Sequence, residues 1–240
     1  MSPREGSECG DVSVLTPELI EEYRRFNGAS VSNAIETFAV RLRNEGFAAG
    51  RLRCLHSHLA PILGHAVTAR IRCSSPPPVG HSYHDRTDWW NYIASVPAPR
   101  IVVVQDVDER PGLGAFVGDV HANILRALGC VGYATNGSVR DVGHAGTLGF
   151  QVFASGVSVS HAFAHIVDFG QPVELADLAV SSGDVLFGDC DGLLTVPAQL
   201  IDQIPPVVRR MQKQEEQVIA FCRSSGFSFD GLRALVGDLG

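Results

Sequence analysis

Lysine is almost absent from this chain: Lys213 is the only one among 240 residues. Catalysis through a lysine imine needs that amine in the site, and Lys213 sits in a charged segment near the C-terminus, which speaks against imine chemistry. Cys-x-x-Cys pairs are missing too, so neither a zinc knuckle nor a dithiol redox motif is supported. The six cysteines, Cys9, Cys54, Cys73, Cys130, Cys190 and Cys222, are scattered. Reduced thiols are expected, with Cys130 and Cys190, inside apolar runs, as small core residues. No apolar run approaches about eighteen residues, and the N-terminal segment lacks the apolar region of a signal peptide. A cytoplasmic protein without a membrane span is expected. Basic runs are absent and the formal charge is −7, which disfavours nucleic acid as a partner. There is no glycine-rich strand-to-helix nucleotide fingerprint, no internal repeat and no low-complexity stretch.

What is present is an ordinary globular composition, 45% hydrophobic and 19% charged, able to bury the core of one domain. Thr16-Pro17-Glu18 supplies a cap, a first-turn proline and an early acid for one helix. A second is expected from Ser30 or Ser32, with Ala34, Ile35, Phe38, Ala39 and Leu42 on one face and Gly46 near its end. Residues 62–71 and 100–106 read as strands, separated by the Pro76-Pro77-Pro78 break and an aromatic segment holding both tryptophans. That segment, with His81, His84, Asp85, Asp88, Trp89, Trp90 and Tyr92, is the candidate specificity element, although such composition also suits a packed lid or a subunit contact. Residues 150–154 and 157–159 read as two further strands, and Asp191-Gly192 signals a hairpin after the turn at Ser182-Gly183. From about Val207 to Cys222 a charged helix is expected, of the kind that docks on a neighbouring subunit. The layout is one domain, 1–240, with N-terminal helices about 16–46, a core about 60–200 and a C-terminal helix about 205–223.

The most informative pattern lies mid-chain, where twenty residues separate Asp119 from the pair Arg140-Asp141. Val120, Ile124, Leu125 and Leu128, closed by Gly129, read as a helix that Asp119 opens. Residues 130–135 read as a buried strand feeding an Asn136-Gly137-Ser138 turn, so Arg140 and Asp141 follow a strand. Helix N-termini present free N–H groups and strand ends open onto crevices. A guanidinium beside a carboxylate can hold a carboxylate or enolate oxygen next to a divalent metal. The same three charges also suit a structural ion-pair network at an oligomer interface, and spacing alone does not choose.

The order Gly118-Asp119, helix, Asn136-Gly137-Ser138-Val139-Arg140-Asp141, Phe150-x-Val-Phe-Ala154, Gly183-Asp184-x-Leu-x-Gly-Asp-x-Asp191-Gly192 and Val196-Pro197 resembles the RraA-like family. That family includes the 4-hydroxy-4-methyl-2-oxoglutarate / 4-carboxy-4-hydroxy-2-oxoadipate aldolases. The resemblance runs from about Ser30 to Gly226, with Val31-Ser32-Asn33-Ala34 and Gly64-His65-Ala66-Val67-Thr68 matching earlier elements. It implies an α/β fold, a swivelling β/β/α sandwich of stacked sheets flanked by helices, assembled as a homotrimer or homohexamer with sites between subunits. It also implies Mg²⁺ or Mn²⁺ on Asp141, Asp119 holding water beside the metal, Arg140 on the 2-oxo oxygen, and the N–H groups of Val120 and His121 on the substrate carboxylate. Asn136 departs from the Asp usual in the aldolases, and both residues tolerate a turn.

The chemistry implied is cleavage of a small 4-hydroxy-2-oxo acid through a pyruvate enolate, with oxaloacetate decarboxylation as a companion activity. Preorganised charge at the enolate oxygen is worth several kcal/mol. The base implied is metal-bound hydroxide held by Asp119 or else His121, whose place in a first helical turn also suits a surface or interface residue. His161 and His165 have the i, i+4 spacing of a metal face on a helix, with only Asp168 to join them, and no metal is assigned there. Glu215 or Glu216 is a candidate to complete a neighbour's site. The alternative is a non-catalytic RraA-like regulator; that branch of the family, which inhibits ribonuclease E, typically lacks the acid that stands here as Asp141.

Overall fold

The computed structural model describes residues 15–78 and 87–239. Its elements in chain order are α1 (Pro17–Tyr23), α2 (Gly28–Glu36), β1 (Arg53–Cys54), β2 (Ile62–Arg72), α3 (Thr87–Ser95), β3 (Arg100–Asp106), β4 (Ala115–Val117), α4 (Asp119–Ala127) and β5 (Cys130–Val139). There follow α5 (Val142–Thr147), β6 (Gln151–Val157), β7 (His165–Phe169), β8 (Val173–Leu175), β9 (Leu178–Val180), β10 (Val185–Asp189), β11 (Gly192–Val196), α6 (Ile204–Arg223) and α7 (Phe229–Leu239).

Nine of the eleven described strands form one sheet in the order β1-β6-β5-β3-β2-β10-β11, with β4 also on β5 and β7 also on β2, and β8 and β9 pair as a separate hairpin. Its centre is parallel, β2 to β3, β3 to β5 and β5 to β6, and α3, α4 and α5 lie in the crossovers between them. Antiparallel β1 and the β10–β11 hairpin flank that centre. Strands covered on both faces read as continuous apolar runs, and β3 divides its run by alternation. Val102 and Val104 pack with Trp89, Ile93, Ala122 and Leu125 of the helices. Ile101 and Val103 pack instead with Val173, Leu175, Leu178 and Val180 of the β8–β9 hairpin. The layers are thus a small hairpin, a large mixed sheet and helices, a β/β/α sandwich. Further along the helical face, α1, α2 and α6 bury Tyr23, Val31, Ile35, Ile204 and Val208 against Leu63 and Phe187.

Several elements depart from expectation. α2 starts at Gly28 behind an Asn27 cap and ends at Glu36, well short of Gly46. The Gly28 N–H donates to Asp189 Oδ2 at 2.6 Å, docking its start on β10, and Arg41 donates to Thr195 O and Oγ1 at 2.9 Å, drawing the following chain out towards β11. Ala39 accordingly takes φ +51, and Leu42 lies exposed. Asn136-Gly137 is no turn: β5 runs through it to Val139, with a register shift against β6 between Thr135 and Ser138. The two strands expected at 150–154 and 157–159 are one, β6. Cys190 is exposed at the tip of the β10–β11 hairpin, whereas Cys130 and Cys73 are buried and burial pushes both thiols up to about 12. A second C-terminal helix, α7, follows α6.

Candidate active site

Asp119 and the Arg140-Asp141 pair come together at the carboxyl ends of β4 and β5, where α/β sheets open a crevice. The Arg140 N–H donates to Val117 O at 3.0 Å, fixing the exit of β5 against the end of β4. Asp141 then adopts φ +53, the left-handed conformation that Asp tolerates better than most non-glycine residues, and heads α5. This bend returns its carboxylate to α4: Asp141 Oδ2 accepts from the Asp119 N–H at 3.2 Å and lies 3.6 Å from Arg140 Nε. Gly118 makes room, because a Cβ there would stand 2.7 Å from Asp141 Oδ2 and 2.9 Å from Arg140 Nε.

Asp119 has partners that sequence reasoning missed. Its Oδ1 lies 2.8 Å from His144 Nε2 on α5 and accepts from Asn123 Nδ2 at 2.8 Å on its own helix. Asn123 stands one helical turn beyond Asp119, a signal readable in advance. His144 became identifiable only once α5 was known to fold back on α4. His121 is buried, contrary to a surface reading: its Nδ1 pairs with Phe116 O at 2.8 Å and its ring lies on Phe116, centroids 4.9 Å apart. Val120 is largely exposed beside it.

Asp119, Val120, His121, Arg140 and Asp141 line a pocket of about 510 Å³ together with residues 161–165. His161 and His165 do not share a helix face. His161 lies in a loop, His165 begins β7, and Asp168 is engaged by Arg70, whose Nε donates to its Oδ1 at 2.8 Å. The aromatic segment, where described, is largely core: Trp89 is buried against Phe169, centroids 5.6 Å apart, and Tyr92 Oη donates to Ser182 Oγ at 2.6 Å. His81, His84 and Asp85 lie outside the described residues. Glu215 and Glu216 are exposed on α6.

The donor set of the corner suits a hard cation. Two half-exposed carboxylates meet there, and Mg²⁺ is commonly held by one or two carboxylates together with water and substrate oxygens. Tighter acidic groups occur at Cys73–Asp106–Asp108 and Asp189–Cys190–Asp191. Three of their four carboxylates accept backbone N–H bonds: Asp106 from Gly112, Asp108 from Cys73 and Ser74, and Asp189 from Gly28 and Asp191. Those two groups read as structural.

The sequence profile of the RraA-like family, described as Aldolase/RraA, matches residues 28–195. The chain belongs to the RraA-like family. This family includes 4-hydroxy-4-methyl-2-oxoglutarate aldolases. A Halalkalibacterium halodurans protein provisionally named as such an aldolase is 23% identical over 103 residues, 42% of this chain and 49% of that protein. Protein DlpA of Legionella pneumophila is 22% identical over 207 residues, 84% of this chain and 31% of DlpA. The chain therefore spans half or less of the length of these two relatives. Among solved structures, an uncharacterized protein from Pseudomonas syringae pv. tomato superposes with a TM-score of 0.72 at 19% identity, covering 96% of this chain and 99% of its own. Streptomyces coelicolor RraAS2, described as an unusual member of the RNase ES inhibitor RraA family, gives a TM-score of 0.65 at 20% identity, covering 84% and 96%. These likenesses show the RraA-like fold. Among the described residues, no helix of this RraA-like chain is long and apolar enough to cross a membrane.

Proposed function

We propose that this RraA-like protein is a divalent-metal-dependent carbon–carbon lyase that cleaves a 4-hydroxy-2-oxo acid to pyruvate and an aldehyde or ketone, and that it also decarboxylates oxaloacetate. The observation that carries this reading is the convergence of Asp119, Arg140 and Asp141 on one corner of a pocket at the start of α4. Mg²⁺ or Mn²⁺ held there by Asp141, with Asp119 on its water shell, would supply Lewis-acid stabilisation of negative charge. The remaining work falls to the chain's own groups. The N-terminus of α4, at Val120 and His121, offers N–H groups to the substrate carboxylate. Arg140 donates to the 2-oxo oxygen. The 4-hydroxyl proton passes through a water to the Asp119 carboxylate that holds it, the C3–C4 bond breaks, and its electron pair moves through C2–C3 onto the 2-oxo oxygen as the enolate. C4 leaves as a carbonyl, and protonation at C3 completes pyruvate. A charge-assisted donor at such an oxygen contributes about 100- to 1000-fold in rate.

The test is pyruvate release from 4-hydroxy-4-methyl-2-oxoglutarate and from oxaloacetate, with Mg²⁺ or with EDTA. The informative variant is Asp141→Asn, since Asn tolerates φ +53 and changes the charge without straining the backbone as Ala would. Expected are turnover with Mg²⁺, loss with EDTA, and loss in Asp141→Asn at an unchanged Tm. Absence of turnover on both substrates, with Mg²⁺ and pyruvate also leaving Tm unmoved, would favour a non-catalytic regulator instead.

A further inference from the structure

The pocket that Asp119 and Arg140 line is lined also by two histidines, each with its Nδ1 held by a backbone carbonyl. His161 Nδ1 lies 2.8 Å from Ala162 O and His165 Nδ1 lies 2.7 Å from Phe163 O. A carbonyl oxygen only accepts, so each Nδ1 carries the hydrogen, and in the neutral ring each Nε2 is an acceptor. Both residues line the pocket, and Phe163, half exposed between them, adds an apolar ring face.

This wall is built rather than loose. The Ala115 N–H donates to Ser160 O at 2.9 Å, the Phe163 N–H to Cys73 O at 3.2 Å, and the Ala164 N–H to His161 O at 2.9 Å. Ala162 is held at φ +47, a conformation costly for alanine that surrounding bonds must enforce. Gly114 lets the loop approach β4 so closely that a Cβ there would meet His161 O at 2.5 Å.

We propose that His161 and His165, with Phe163, form a second subsite that reads hydroxyl groups on the part of the substrate released as the aldehyde. The substrate class is then a 4-hydroxy-2-oxo acid with a hydroxylated tail, cleaved to pyruvate and a hydroxyaldehyde. This rests on the lyase reading above. Acceptor nitrogens complement hydroxyl donors, and an aromatic face complements the C–H face of a polyol. A second carboxylate would bring only acceptors to those histidines, and among the described lining residues Arg140, already assigned to the 2-oxo oxygen, is the sole arginine, with no lysine.

A matched pair of five-carbon substrates tests it: 4,5-dihydroxy-2-oxopentanoate, giving glycolaldehyde, and 4-hydroxy-2-oxoglutarate, giving glyoxylate. Pyruvate release is measured with Mg²⁺ on wild type, His161→Ala and His165→Gln, and exchange of pyruvate methyl protons with D₂O is followed by NMR on wild type. Exchange needs only the pyruvyl end of the site. The proposal expects exchange, a kcat/KM at least about tenfold higher for the dihydroxy acid, and a fall in that ratio of about tenfold in His161→Ala, the effect of one lost hydrogen bond. His165→Gln keeps an acceptor oxygen and is expected to retain more of the preference. Exchange with a wild-type preference for the dicarboxylate, or variants that lower both substrates in proportion, overturns the subsite. Absence of exchange removes the lyase reading and the subsite with it, and is recognised before the two tails are compared.

Discussion

Arg140 and Asp119 do their proposed work through geometry that single substitutions can separate from charge. Arg140→Lys keeps a cation but loses the planar guanidinium whose Nε faces Asp141 at 3.6 Å. The expected result is a fall in kcat of about 100-fold, the scale of one lost oxyanion donor, with Tm unchanged because the side chain is part-exposed. Asp119 is steered by His144, so His144→Leu leaves one Oδ1 partner, Asn123, in place. About a tenfold loss of kcat is expected, with the Mg²⁺ concentration for half-maximal rate raised. Unchanged kinetics in both variants would make these contacts merely structural. The three motif residues were legible in the sequence because helix starts and strand ends can be read from apolar periodicity. His144 was not, since its proximity to Asp119 depends on the left-handed turn at Asp141, a backbone choice with no pattern in composition.

At the scale of elements, Asn136 shows why local signals misled. Asn-Gly ordinarily announces a turn, yet here Asn136 Oδ1 accepts from the Asp106 N–H at 2.7 Å and Nδ2 donates to Asp106 O at 3.0 Å. The side-chain amide thus extends the β3–β5 pairing past its last paired residues, Val104 and Thr135. An Asp can supply the acceptor but not the donor, which accounts for Asn where the aldolases usually carry Asp. Asn136→Asp leaves Asp106 O without this donor and adds a carboxylate beside Asp106, whose own carboxyl is pushed up mainly by burial. A loss of about 1–3 kcal/mol in urea unfolding is expected, and no loss would refute the bridging role. Gly118→Ala tests the site's other backbone device. Its added Cβ would meet Asp141 Oδ2 at 2.7 Å, so activity should fall steeply while α4, which tolerates Ala, stays folded.

The molecule as a whole carries apolar surface that one chain leaves uncovered, and its distribution bears on assembly. Leu113, Val120, Val157, Val159 and Phe163 are exposed, Val159 at 98%. Val120 and Phe163 line the pocket itself. The others lie close by, since Ser158 Oγ bonds Leu113 O and the Ser160 carbonyl bonds Ala115. A second apolar group, Ile219, Phe227, Phe229 and Val236, lies along the α6–α7 hairpin, which projects from the sheet because only the first turns of α6 are buried. The layered core was legible because buried strands announce themselves as apolar runs. Which exposed residues lie near one another was not, since residues 113, 120, 157 and 163 are brought to the same region only by the pairing of β4, β5 and β6. In the expected homotrimer or homohexamer, with sites between subunits, this apolar surface beside the pocket would be covered by a neighbouring copy. Light scattering should then give about three or six times the 25.7 kDa chain mass. Val159→Glu places a charge in apolar surface that would be desolvated on association, at a cost of several kcal/mol per copy. It is expected to shift the mass towards one chain and to lower lyase activity with no change in the far-ultraviolet circular dichroism. A wild-type mass of 25.7 kDa at micromolar concentration would instead mean that this apolar rim faces solvent and that one chain forms the whole site.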